Sequence, residues 1–134
     1  MTNNQDLIHG EGRITGIVAL EPDAGAGTAI IYRREGSNVE RLVTPLRSWV
    51  LARKTMDDSI ELSGRHPLRH LLVTPFGRAV EFARSLASDQ RLAYLDPVTS
   101  HLVASGETFY RDLPFEQVRR LQFDLETLDI YPDR

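Results

Sequence analysis

The chain has 134 residues, 41% of them hydrophobic and 26% charged, with no cysteine and a formal net charge of -3. That length and mixture suit one soluble globular domain with a modest core, and they exclude a disordered chain, disulfides and thiolate metal sites. No apolar run is long enough to span a membrane, the first residues lack a secretory pattern, and the expected location is cytoplasmic. The acidic balance argues against a freestanding coat for nucleic acid, which carries basic excess. Nucleic acid stays open as a substrate, because carboxylates that hold divalent metals make phosphodiester sites locally acidic.

Residues 1–12 are polar and read as a loose lead-in. A first strand is expected at Ile14–Leu20, where imperfect alternation fits a largely buried strand. The run Glu21–Gly27 is a turn by composition; Gly25 and Gly27 lack the Lys-Ser/Thr and helix of a phosphate-binding loop. Thr28–Arg34 and Val39–Val43 flank Glu35–Asn38 as a hairpin, and Arg47–Ala52 forms a further short strand. Residues 53–67 are irregular, and Leu68–Val73 is β-branched and short enough for a strand. The main helix follows Pro75, with Phe76, Val80, Phe82, Ala83 and Leu86 on one apolar face.

Two more short strands are expected at Arg91–Leu95 and Ser100–Ala104 around Asp96-Pro97. Pro114 opens a short helix through Arg119, and Phe115 packs it on the sheet. Leu121, Phe123 and Leu125 then alternate with Gln122, Asp124 and Glu126, the pattern of a strand over Leu121–Thr127 with one apolar face. The element order gives an α+β class of mostly antiparallel strands with one main helix.

Asp124 and Glu126, two apart on a strand, would stand side by side. Magnesium and manganese take hard oxygen ligands, and two-metal phosphodiester cleavage uses carboxylates that share ions. Set against this, a D-x-E pair is more often the solvated face of an edge strand. The four histidines, His9, His66, His70 and His101, are scattered and read as surface or loop residues. The arginines at 33, 34, 41, 47, 65, 69, 119 and 120 suit phosphate contact or plain solvation equally, with Arg119 and Arg120 favoured by their position before the acidic pair.

The segment Arg119-Arg-Leu-Gln-Phe-Asp-Leu-Glu-Thr127 resembles the first exonuclease motif of family B DNA polymerases, whose core reads Phe-Asp-Ile-Glu-Thr after an apolar residue. Thr15–Glu21, Thr44–Trp49 and His101–Val118 are similar to that family's N-terminal domain and to the passage leading into its exonuclease domain. The resemblance implies three parts: lead-in 1–12, an N-terminal α+β domain over 13–118, and at 119–134 the truncated first strand of a ribonuclease H-like exonuclease domain. It implies that Asp124 and Glu126 are catalytic metal ligands, and that Thr127, Arg119 and Arg120 lie near the DNA substrate. Mg2+ or Mn2+ would be held by the complete parent protein and not stably by this piece. The partners implied are DNA and the remainder of the polymerase or exonuclease chain, with no membrane. Expected function is thus the front of a DNA replication or repair enzyme with 3'-5' exonuclease activity, itself inactive. A non-catalytic nucleic-acid-binding or scaffolding domain, or an unrelated α+β domain with a chance D-x-E, are the alternatives.

Overall fold

The computed structural model describes residues 11–93 and 96–125. It shows a mixed α+β fold built on two antiparallel sheets and two helices. β1 (Ile17–Asp23), β2 (Thr28–Glu35) and β3 (Asn38–Pro45) form a three-stranded meander in the order β1-β2-β3. The expected hairpin is present, closed by a two-residue turn at Gly36-Ser37 that uses the positive φ of Gly36. The first strand begins and ends three residues later than its alternation suggested. The register shifts between Ile17 and Ala19, just after Gly16, whose φ is +70°. Such an irregularity adds a residue on one strand and breaks strict alternation.

The second sheet contains β4 (Arg47–Ala52), β5 (Ile60–Glu61), β6 (His70–Pro75) and β7 (Arg91–Leu92) in the order β5-β6-β4-β7. Only Leu46 separates β3 from β4, so the chain passes from one sheet to the other through a single buried residue. The Leu46 N–H donates to Gly27 O at 2.9 Å in the meander, while Leu46 O accepts from Phe76 N at 3.0 Å. Its side chain joins Ala29 and Phe76, with Leu20 and Val80 alongside.

Helix α1 (Phe76–Ser85) follows β6 directly, with Pro75 at its N-terminal boundary. It covers one face of β4 and β6, where Val50, Ala52, Met56, Leu72 and Ala79 form a core flanked by Phe82, Leu86 and Ala93. Trp49 and Phe76 are core residues.

The second helix, α2 (Pro97–Ser105), corrects the expected strand at Ser100–Ala104. Asp96 caps it by accepting the Thr99 N–H at 2.8 Å, Pro97 occupies the first turn, and Gly106 ends it at φ +74°. Cap, proline and glycine together outweigh the β-branched Val98, Thr99 and Val103. Hydrogen bonds from Thr99 also hold the exposed Asp96 carboxyl below its ordinary range. Among the described residues there are therefore two α-helices where one main helix was expected.

Past α2 the chain returns to the meander. Gly16 N–H donates to Arg111 O at 2.8 Å, and Tyr110 N–H donates to Ile17 O at 2.9 Å. The Glu107 carboxylate accepts two successive backbone N–H groups, Arg13 at 3.2 Å and Ile14 at 3.1 Å. Gly12 permits that approach, since a Cβ there would lie 2.6 Å from Glu107 N.

Candidate functional site

A site must be reachable as well as polar, and that criterion separates two groups of side chains. The first is enclosed. Ser48 and Thr74 face each other in the β4–β6 register, and both are buried, with hydroxyls that have no hydrogen-bond partner among the described residues. Beside β4 lies His101, 1% exposed. Among the described residues β7 pairs only with Leu51 and Ala52 and does not reach the N-terminal half of β4. There the Arg47 N–H donates to His101 Nδ1 at 3.1 Å. A helix side chain thus takes up a backbone donor that a strand would otherwise have to satisfy.

This placement corrects the reading of His101 as a surface or loop residue. Enclosure, first, and the Arg47 charge, second, push its pKa below the ordinary value of 6.5. The ring is therefore neutral at pH 7, with Nδ1 unprotonated to accept the amide hydrogen. Because the unfolded chain binds the proton more tightly, unfolding takes up a proton in acid. The contribution of His101 to stability is complete above about pH 6.5 and is lost as pH falls through its lowered folded value. Urea midpoints measured between pH 8 and 5 should decline accordingly. In His101→Asn, whose amide oxygen can accept the same N–H without titrating, that part of the decline should vanish. An unchanged profile in the variant would show that His101 is not its source.

The second group is accessible. The 109–118 segment is held against the meander by the two strand-like bonds of Tyr110 and Arg111 and by the Arg34 guanidinium, which donates to Gln117 O. Tyr110 and Asp112 adopt positive φ, 61° and 56°. For non-glycine residues this costs about 1–2 kcal/mol each. A 3-10 turn at Phe115–Gln117 follows, shorter than the helix expected through Arg119. The resulting concavity, about 530 Å³, is lined by Tyr110, Leu113, Phe115, Val118, Arg119 and Arg120.

Phe115 is 87% exposed, which corrects its expected role as a packing residue. One turn of 3-10 helix has no face broad enough to bury its aromatic.

Arg119 and Arg120 lie in this accessible lining. Asp124 is exposed and belongs to no strand, so the strand expected over Leu121–Thr127 is absent across Leu121–Leu125. A strand needs a neighbour for its N–H and C=O groups, and none of the described strands pairs with this segment. Glu126 and Thr127 lie outside the described residues.

Among the described residues no group of three or more His, Asp or Glu side chains could hold a metal. Of the two carboxylates singled out in the sequence, Asp124 is the one within the described residues. Also among them, no helix is long and apolar enough to cross a membrane. No family model, curated protein or solved structure matches this chain.

Proposed function

We propose that this chain is the N-terminal part of a family B DNA polymerase-like protein. On this reading Asp124 and Glu126 begin the metal site of a 3'-5' exonuclease, and 119–134 begin the domain that carries it. The observation that supports it most is the state of the motif segment. Leu121, Phe123 and Leu125 alternate as a strand's buried face does, yet they are 88%, 81% and 77% exposed. That exposure leaves three large apolar side chains available to a partner. A sheet laid against them would bury that face, complete the backbone pairing and turn Asp124 and Glu126 toward a common side.

The DNA, the divalent metal and the remaining carboxylates belong to that larger protein. The 134-residue chain should leave a 5'-labelled single strand intact in Mg2+ or Mn2+. The same chain, expressed with the coding sequence that follows it, should shorten the strand from its 3' end. Asp124→Ala with Glu126→Ala should then reduce the rate by roughly 10³-fold or more, as expected when groups that act together are removed. Nuclease activity in the 134-residue chain would overturn the reading of it as half a site. Retained activity in the longer double variant would overturn the assignment of the two carboxylates.

A further inference from the structure

The concavity at residues 110–120 precedes the acidic pair and shares no residue with it. Its lining contains two guanidinium groups and no carboxylate. Neither Arg119 nor Arg120 makes an ion pair among the described residues, whereas Arg33, Arg69 and Arg78 pair with Glu40, Glu61 and Asp58. Phe115 and the half-exposed Tyr110 add aromatic surface. The backbone beneath is held in place rather than free, through Gly16 N–H to Arg111 O, Tyr110 N–H to Ile17 O and the Arg34 bond to Gln117 O. Exposed aromatic faces beside arginines that make no ion pair among the described residues suit a ligand that is flat, apolar and anionic along one edge. Unpaired nucleotides have that chemistry: a base stacks on the ring and its phosphate meets the guanidinium.

We infer that this concavity binds single-stranded nucleic acid, with a base stacked on Phe115 and flanking phosphates on Arg119 and Arg120. The inference rests on the reading of the chain as part of a nucleic-acid-processing protein, and it deepens that reading by giving a substrate contact to this part of the chain. A duplex does not satisfy the site, because its bases are already stacked on one another. An acidic peptide would meet the arginines but leave the aromatic surface unused.

The 134-residue chain, in EDTA and low salt, can be titrated into a 5'-fluorescein-labelled dT12 and followed by fluorescence anisotropy. Saturable binding is expected, with a duplex of the same length bound more weakly and poly-glutamate of matched charge failing to compete. Phe115→Ala and Phe115→Leu should each weaken binding roughly 10-fold, the loss of one stacked base, while Phe115→Trp should retain it. Arg119→Ala and Arg120→Ala should each lower the slope of log affinity against log salt by about 0.7, one phosphate contact on a single strand. Phe115 is exposed, so its variants leave the core untouched. The inference is overturned by unchanged binding in Phe115→Ala, by Phe115→Leu binding as well as the parent chain, by equal affinity for duplex, or by displacement with poly-glutamate. Nuclease assays of the longer chain vary independently of these results, so failure here and failure of the exonuclease reading are distinguishable.

Discussion

Gly16→Ala is expected to destabilise the fold by about 3 kcal/mol or more, seen as a lower urea midpoint with little change in slope. Two costs coincide at this residue. Its φ of +70° lies in the left-handed region, where a side chain costs about 1–2 kcal/mol. A methyl would also stand 2.4 Å from Arg34 O, a backbone atom that accepts no such contact without moving a strand. Overpacking of that kind costs about 1–3 kcal/mol. Gly27→Ala provides the comparison, since Gly27 has nearly the same φ, +69°, and nothing within 4 Å of the added carbon. It should show the first cost alone. Equal shifts in the two variants would refute the close approach at Gly16. The effect reaches further than stability, because Gly16 N–H bonds Arg111 O and Gly16 O accepts from Arg34 N. Both arginines belong to the framework that holds the 109–118 segment.

Leu46→Ala should cost about 2–5 kcal/mol, the range for removing a fully buried leucine without complete collapse of the space. The backbone bonds of Leu46 to Gly27 and Phe76 do not involve its side chain, so the loss reports packing alone. That packing joins Ala29 of the meander to Phe76 and Val80 of α1. Leu46→Met, close in volume and flexible, should cost less than about 1.5 kcal/mol. If Leu46→Ala proved as mild as Leu46→Met, the two sheets would have to be held together by other contacts.

The elements legible in the sequence were those whose signals are local. The hairpin at β2 and β3 has alternating arms and a glycine turn. α1 has a run long enough to state a period, and β4 occupies the span expected of a short strand. α2 was misread because Val98, Thr99 and Val103 favour strands, although Asp96-Pro97 and Gly106 carried the stronger boundary signals. The segment at Leu121 shows another limit. Alternation states which residues share a face, but not whether a neighbouring strand exists to receive them.

The same division applies to the candidate sites. Arg119 and Arg120 could be singled out by position, while Phe115 and Tyr110 required knowledge of what lay beneath them. His101 was unreadable for a different reason. Its role depends on where β7 stops relative to β4, a long-range fact with no trace in the residues around position 101.

The Glu107 clasp has a kinetic meaning. It joins backbone donors at residues 13 and 14 to a carboxylate 94 and 93 positions away along the chain. Closing so long a loop is entropically unfavourable until most of the intervening structure has formed. The clasp is expected to form late, so Glu107→Ala should speed unfolding in stopped-flow measurements more than it slows folding. Exchange of the Arg13 and Ile14 amide hydrogens should accordingly report release of residues 13 and 14 from Glu107, ahead of loss of the sheets.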